Sequence, residues 1–145
     1  MSIDINFCMH TDVSSADLLA SYRDVLATLS AEPDAVLGFE GRISPESNEI
    51  LKDALGFEAT AELQFRLRKD TSTDLQMQLI LEGTLRLLER HPGDAALLHN
   101  GEFVYFVRHG DVLTINAEDE SDATWPSERL ALIRGPYVRK VIPVL

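Results

Sequence analysis

Apolar and polar residues alternate along two stretches of the chain, and such alternation is typical of a strand with one packed face. At the N-terminus, Ile3, Ile5 and Phe7 alternate with polar residues, which predicts a strand over residues 2–9. A longer alternation over residues 57–69 puts these side chains on the packed face: Phe57, Ala59, Ala61, Leu63, Phe65 and Leu67. The other face, which we expect to meet water, carries Glu58, Thr60, Glu62, Gln64, Arg66 and Arg68.

Helical spacing of apolar residues predicts two long amphipathic helices. The first begins at Ser14 or Ser15, either of which suits an N-cap, and runs to about Ser30. The second runs from Thr73 to about Arg90, and residues 73–76 match the capping-box pattern T-x-x-Q. Its apolar stripe is wide, so we expect this helix to be buried on more than one side.

Residues 35–56 are harder to assign. Residues 36–39 suit a short strand, and Ser44-Pro45-Glu46 suits the start of a helix that would end at Gly56. Whether this segment is ordered strand or helix stays open at the level of the sequence.

Three apolar runs over residues 94–116 are separated by Asn100-Gly101 and Gly110-Asp111. Asn-Gly adopts positive φ at little cost, so these runs predict a three-stranded antiparallel meander. The middle run is apolar on both faces, with Phe103, Tyr105 and Val107 on one and Val104 and Phe106 on the other. Such a strand lies centrally or has a partner on its second face, which leaves room for a homodimer.

Helices between antiparallel strands predict an α+β fold. We expect a mainly antiparallel sheet, two main helices packed on one face and the C-terminal three-strand meander. A short helix would follow Trp125-Pro126, and residues 137–145 would form an edge segment. Because 145 residues is an ordinary domain size, residues 1–145 are expected to form a single domain.

Charge and composition narrow the classes of function. The net charge of −11 is spread over both halves of the chain, so it should repel nucleic acid and attract a basic protein. Acidity is also common as a device for solubility. No apolar run approaches the ~20 residues of a membrane span, and residues 1–10 lack the basic start of a secretory signal. With one cysteine and hence no intrachain disulfide, we expect a cytoplasmic protein without membrane contact.

Candidate catalytic and metal-binding residues are few. Cys8 and His10 would share one face of a strand, which is the geometry of a thiol hydrolase, but a buried structural cysteine is favoured. The four histidines (His10, His91, His99 and His109) lack the spacing of a zinc site, although His99 and His109 flank one strand of the meander. No phosphate-binding glycine loop occurs. We therefore expect no catalytic residues, no metal and no cofactor.

An acidic run lies beside the single tryptophan. It consists of Glu118, Asp119, Glu120 and Asp122, and Trp125 follows. Acids steer and pair with a basic partner, and tryptophan is a frequent interface anchor, so this segment predicts an interface. A solvated loop followed by a tryptophan that fills the core is the alternative.

The stretch HPGDAALLHNGEFVYFVRHGDVLTIN, residues 91–116, resembles the SitI-type immunity proteins of bacterial polymorphic (swarming-inhibition) toxin systems. That family looks similar in a leucine-rich helix, a G-D-A-x-L-L-x-N-G-E segment, apolar strands and a tryptophan before a short helix. The matching positions are Leu85, Leu88, Gly93, Asp94, Ala95, Leu97, Leu98, Asn100, Gly101, Glu102, Asn116 and Trp125. The likeness covers roughly the second two-thirds of the chain.

The resemblance implies a small cytoplasmic protein that binds and neutralises a cognate toxin, without catalysis or cofactor. The matching residues look structural, so the resemblance does not locate the toxin-binding site. Charge and residue type predict that site at Glu118, Asp119, Glu120, Asp122 and Trp125, against a basic toxin surface. The rival hypothesis is a small-molecule-binding or regulatory α+β domain, with its ligand between sheet and helices.

Overall fold

A computed structural model describes residues 3–29, 31–117 and 124–145. Its elements, in chain order, are β1 (Asp4–Met9), α1 (Ser15–Thr28), β2 (Leu37–Glu40), α2 (Pro45–Leu55), β3 (Ala61–Arg66), α3 (Thr73–Arg90), β4 (Ala95–His99), β5 (Phe103–His109), β6 (Val112–Asn116), α4 (Ser127–Leu130) and β7 (Val138–Lys140). Within these residues, seven strands form one sheet in the order β2-β3-β1-β4-β5-β6-β7. Strand pairs are antiparallel except β6 and β7, so the predicted α+β fold is confirmed.

The two main helices, α1 and α3, pack on one face of the sheet. Tyr22 of α1 is buried against Phe65 of β3, with ring centroids 4.8 Å apart, and its hydroxyl donates to the Leu79 carbonyl of α3. Both helices belong to the larger core cluster, together with inward residues of β1 and β3 such as Phe7 and Leu63. The expected placement of these helices is confirmed.

Helix α2 covers part of the opposite face, where a second core cluster lies. Leu51 of α2 packs there with Cys8 and Leu98. The Ser44 side chain accepts from the Ser47 amide at 3.1 Å and caps the helix, and Gly56 ends it with a φ of 86°. Residues 35–56 therefore hold both an edge strand and a helix, and the start and stop signals in the sequence mark that helix correctly.

The strand predicted over residues 57–69 is shorter than expected. Only Ala61–Arg66 form β3, while Phe57 and Ala59 pack in the second cluster and not with Leu63. The reason is Asn48 of α2, whose side chain accepts from the Ala59 amide at 2.8 Å and donates to the Ala59 carbonyl at 3.1 Å. Those two bonds take the backbone groups that a sheet ladder would use.

The capping box predicted at Thr73 is wrong. Ser72 is the N-cap of α3, and its hydroxyl accepts from the Leu75 amide at 3.3 Å. The Gln76 side chain is buried and instead accepts from the Arg68 amide at 2.7 Å and donates to the Arg68 carbonyl at 2.9 Å. It therefore fixes the loop between β3 and α3.

The predicted meander is confirmed as β4, β5 and β6, but its face assignment changes within β5. Asn100 and Gly101 both have positive φ, as the Asn-Gly turn requires. The register between β4 and β5 shifts beside Leu97, which leaves Tyr105 as an extra residue in β5. Tyr105 and Phe106 consequently both join the larger cluster, so strict alternation fails there. Neighbouring strands and two packed faces account for the apolar character of β5.

The C-terminal segment is held by Asn116 at the end of β6. Its side chain accepts from the Ile142 amide and donates to the Ile142 carbonyl, each at 3.1 Å, and also donates to the Val104 carbonyl at 2.8 Å. Ile142 is thereby fixed in the second cluster. The edge segment expected over residues 137–145 is present as β7 and the residues that follow it.

Candidate functional site

The predicted interface residues fall in two places. Glu118, Asp119, Glu120 and Asp122 lie outside the described residues, so their part in a contact stays a prediction. The Trp125 side chain is 1% exposed and packs against Phe106, with ring centroids 6.5 Å apart. Its indole N–H donates to the Tyr105 carbonyl at 2.9 Å. Trp125 thus fills the core where the acidic run ends, which is the packing alternative that the sequence left open.

Cys8 and His10 do not form a catalytic pair. The Cys8 thiol lies 3.8 Å from Oε1 of Glu62 and donates to it, whereas His10 Nδ1 lies 3.0 Å from the Glu58 carbonyl oxygen. Burial, then the charge of Glu62 and the hydrogen bond to it, raise the pKa of the Cys8 thiol well above its ordinary value. The thiol is therefore protonated at neutral pH and lacks the activation that a nucleophile needs.

The histidines are separate from one another and have local partners. His99 and His109 flank β5, and the sequence allowed them to come near each other. His99 ends β4 opposite Phe103, at the start of β5, whereas His109 ends β5; they bond to Tyr105 and Asp94 respectively, each at 2.8 Å. His91 bonds to Ser21 at 3.0 Å. Across the described ranges, no three histidine, cysteine or acidic side chains converge as metal ligands would.

A cleft of about 100 Å³, lined by both polar and apolar side chains, lies on the sheet face that α2 covers. We name it the Glu62 cleft, and its lining residues are Asn6, Cys8, Ser47, Ile50, Leu51, Glu62, Leu98, Gly101 and Leu145. The register explains the grouping, because Cys8 of β1 lies directly opposite Glu62 of β3 and facing residues on adjacent antiparallel strands point to the same side. The cleft is too small for an ordinary drug-sized ligand, whose pockets measure roughly 300–1,000 Å³.

Glu62, which the alternation assigned to the wet face, is only 9% exposed. Its Oε1 accepts from the Asn6 side-chain amide at 3.1 Å and from the Cys8 thiol. Oε2 has no hydrogen-bond donor among the described residues, and no lysine, arginine or histidine of those residues forms an ion pair with Glu62. Burial raises the pKa of this carboxyl above its ordinary value, and the bonds from Asn6 and Cys8 oppose that rise.

Gly41 makes room for this carboxyl. A Cβ on Gly41 would lie 2.7 Å from Cγ, Cδ and Oε2 of Glu62, closer than real Cβ contacts. The backbone joins the two residues as well, because the Gly41 amide donates to the Glu62 carbonyl at 2.8 Å. The segment between β2 and α2 therefore contacts the Glu62 side chain directly, and any residue other than glycine at position 41 would displace that side chain.

The helix beside the cleft carries an acidic outer stripe. Glu46, Glu49 and Asp53 are exposed on α2, and Ile50 lies among them with 49% of its surface exposed. Their spacing of three and four residues places them on one face of the helix. An exposed apolar side chain within an acidic stripe thus stands at the mouth of a cleft that contains a buried acid.

Sequence reasoning missed Glu62, Asn6 and Gly41 because alternation alone puts Glu62 and Asn6 in water. One sequence feature indicated burial on this side. The middle run of the meander is apolar on both faces, which predicts that the second face of the sheet is packed as well. Once that face is packed, Glu62 of β3 becomes buried and Asn6 of β1 becomes half-buried on the same side of the sheet.

A family model described as SitI3-like matches residues 3–129 of the chain. The chain belongs to the SitI3-like family. The match includes the N-terminal strand and first helix, so the family likeness reaches further than the second two-thirds seen in the sequence. In this SitI3-like chain it takes in the buried residues of the larger core cluster, those of the second cluster except Ile142, and most of the Glu62 cleft. No curated protein and no solved structure matches the chain. Within the described residues, no helix is both long and apolar enough to cross a bilayer.

Proposed function

We propose that this protein is an immunity protein, which binds a cognate bacterial toxin and neutralises it by covering the active surface of that toxin. The observation that carries the proposal is membership of the SitI3-like family over residues 3–129. This role needs no catalytic residue and no cofactor. It accords with a thiol at Cys8 that is buried and protonated, and therefore unsuited to nucleophilic attack.

Charge supports a basic toxin surface as the partner. The chain carries a net charge of −11, and such a field raises the rate of encounter with a positively charged protein. In this proposal Glu118, Asp119, Glu120 and Asp122 meet the toxin, while Trp125 anchors their segment from within the core. Exposed Asp74 and Glu128 line a hollow beside Pro126, together with Arg129, and add acidic groups to the part of the surface that follows Trp125.

The first experiment uses the protein as bait against the products of genes adjacent to its own, with mass spectrometry to identify what is retained. A retained neighbour is then expressed with and without this protein, and survival of the host cells measures neutralisation. The proposal predicts a toxic neighbour that binds with nanomolar affinity and loses its toxicity on co-expression. Retention of no neighbour, or binding without protection, would reject it.

The acidic segment is tested by changing Glu118, Asp119, Glu120 and Asp122 together to the corresponding amides. We expect weaker toxin binding and a shallower dependence of affinity on salt, because screening acts on the charges that were removed. The matched control changes Asp12, Asp24, Glu32 and Asp34 in the same way, which alters net charge equally at exposed sites elsewhere. Equal affinity and equal salt dependence in the two variants would reject this segment as the contact.

A further inference from the structure

We propose that the Glu62 cleft receives the side chain of a lysine or arginine of the toxin, a proposal that rests on the proposed function. We call this contact the Glu62 socket: a binding site for one basic side chain, formed by the residues that line the Glu62 cleft, within a generally acidic surface. Long-range attraction depends on many exposed acids, whereas this contact depends on one buried carboxyl and its neighbours.

The carboxyl lacks a counter-charge among the described residues. Glu62 is 9% exposed, yet its two donors, Asn6 and Cys8, are both neutral and both bond to Oε1. A largely buried carboxylate without a counter-charge is costly. Its Oε2 is accessible from the cleft, because it lacks a donor and yet is not among the fully buried unpaired atoms of the described residues. An incoming ammonium or guanidinium group would supply the missing positive charge and a donor for Oε2.

The walls of the cleft suit the stem of a basic side chain. Ile50, Leu51 and Leu98 offer apolar surface, along which the methylene groups of lysine or arginine pack well. Ser47 and Asn6 offer oxygen atoms that could accept further hydrogen bonds from the charged head. A cleft of about 100 Å³ has room for one such group and not for a larger ligand.

The surroundings favour a cation from a protein. Glu46, Glu49 and Asp53 add negative charge on the exposed side of α2, the helix whose Ser47, Ile50 and Leu51 line the cleft. Exposed Ile50 provides an apolar contact at the opening. A basic residue that projects from a protein surface would first be attracted by the acids of α2, then contact Ile50 at the opening of the cleft, and finally reach Glu62. Interfaces commonly combine such a charged rim with one anchoring side chain in a pocket.

Toxin affinity of three variant pairs tests the proposal. Glu62→Gln keeps the shape and hydrogen bonding of the side chain but removes its charge, so we expect toxin binding at least tenfold weaker. Its control, Glu58→Gln, alters an exposed acid, and its toxin affinity should stay within about twofold of the wild type.

Ile50→Lys places a competing cation at the opening of the cleft and should weaken toxin binding similarly. Its control, Val112→Lys, adds the same charge at a side chain of similar exposure. Gly41→Ala should displace the carboxyl without changing charge, and Gly38→Ala meets only ordinary contacts.

The melting temperature of each variant is measured first, to show that it is folded. If a substitution at Glu62 or Gly41 unfolds the protein, the variants at the exposed residues Ile50 and Val112 still test the proposal. If the wild-type protein binds the toxin and the Glu62, Ile50 and Gly41 variants bind as well as their controls, the socket is overturned and the proposed function stands. If the wild-type protein binds and protects against no toxin, the proposed function itself fails.

A direct measurement needs no toxin at its first step. Butylguanidinium and butylammonium chloride are titrated into ¹⁵N,¹³C-labelled protein, and the side-chain signals of Glu62 and Asn6 are followed by NMR. Saturable shifts that vanish in Glu62→Gln, and that the toxin suppresses, support the socket. No saturable shift, or the same shift in Glu62→Gln, overturns it. Tight binding of a free cation that the toxin does not displace would also overturn it, and would assign the cleft to a small amine or guanidine.

Discussion

Cys8 and Glu62 face each other across β1 and β3, with the thiol 3.8 Å from Oε1 of the acid. Burial, then the charge of Glu62 and the hydrogen bond to it, raise the pKa of the Cys8 thiol. Burial also raises the pKa of Glu62, and the hydrogen bonds from Asn6 and from Cys8 oppose that rise. Among the described residues, the pair keeps an acid in the interior without a cation beside it. An arrangement of this kind costs stability in the free protein, and such costs are frequent at functional sites.

Glu62→Gln should make the free protein more stable at neutral pH. The pKa of Glu62 is raised in the folded state, so the native protein binds more protons than the unfolded chain from about pH 4.5 upward through the folded pKa. Wild-type stability therefore falls across that window, and the variant lacks this loss. Urea unfolding at several pH values from 4 to 8 should show a difference in unfolding free energy that grows in favour of the variant as the pH rises.

Two observations would contradict this account. A difference that is independent of pH would mean that Glu62 titrates normally. A difference of the opposite sign would mean that a cation already pairs with it. Glu58→Gln is the control, because it removes the same charge from an exposed acid, whose partner is the exposed Lys52.

The thiol of Cys8 should resist modification in the native protein. Burial and the neighbouring Glu62 raise its pKa, so the reactive thiolate is scarce at neutral pH. We expect a disulfide reagent to label native Cys8 at least about 100-fold more slowly than the urea-unfolded chain. The absorbance of the released thiolate measures the rate. Rapid labelling at pH 7 without denaturant would restore a reactive-cysteine function with His10 as the base.

Gly83 should be required for helix packing, against the usual preference for alanine. Replacing a helical glycine by alanine normally stabilises by about 0.5–1 kcal/mol. At Gly83 of α3, however, a Cβ would lie 2.4 Å from Cε1 of Tyr22, whose ring is buried and held by its bond to the Leu79 carbonyl. Gly83→Ala should therefore cost about 1–3 kcal/mol in unfolding free energy. A Tyr22→Leu change in the same chain should recover part of that loss, and a stabilising Gly83→Ala would refute the close packing.

Most of the fold could be predicted from patterns with a local cause. Serine caps, the Pro45 helix start, the Gly56 stop and the Asn100-Gly101 turn each express a backbone preference that acts within a few residues. These signals placed α1 and the meander and offered a helix ending at Gly56 within a segment left open, because local preference and burial agree there. The apolar stripe placed α3, whereas its predicted capping box at Thr73 is wrong and Ser72 is the cap.

The candidate site could not be predicted in the same way, because it depends on contacts between distant segments. The alternation over residues 57–69 assigns Glu62 to the solvent-facing side of the strand. It is buried because α2 and the C-terminal segment pack on that second face of the sheet. The strand before it begins late for a related reason, since Asn48 takes the backbone groups of Ala59. No local pattern reports on bonds that join residues from different elements.

Asn48 should hold α2 in place over the second face. Its side chain makes two part-buried hydrogen bonds to the Ala59 backbone, and loss of both costs about 1–3 kcal/mol. We expect Asn48→Ala to lower the unfolding free energy by that amount and to speed hydrogen exchange at the Ala59 amide. Glu49→Ala, at the exposed neighbouring position, should change neither quantity by much. Unchanged exchange at Ala59 would show that the strand end is held in another way.

Trp125 should act on toxin binding through the packing of its segment and not through its own contact. The indole is 1% exposed and bonds to the Tyr105 carbonyl, so Trp125→Phe leaves that buried carbonyl without its donor and removes volume from the core. We expect a loss of about 1–3 kcal/mol in unfolding free energy and no more than about a threefold loss in toxin affinity. Because Trp125 is the only tryptophan, the fluorescence of the protein monitors the environment of this side chain. The emission should shift to longer wavelength on unfolding and stay unchanged when a tryptophan-free toxin variant binds. A variant of normal stability that binds the toxin more than tenfold more weakly would instead place the ring in the interface, because only a direct contact would separate affinity from stability in that way.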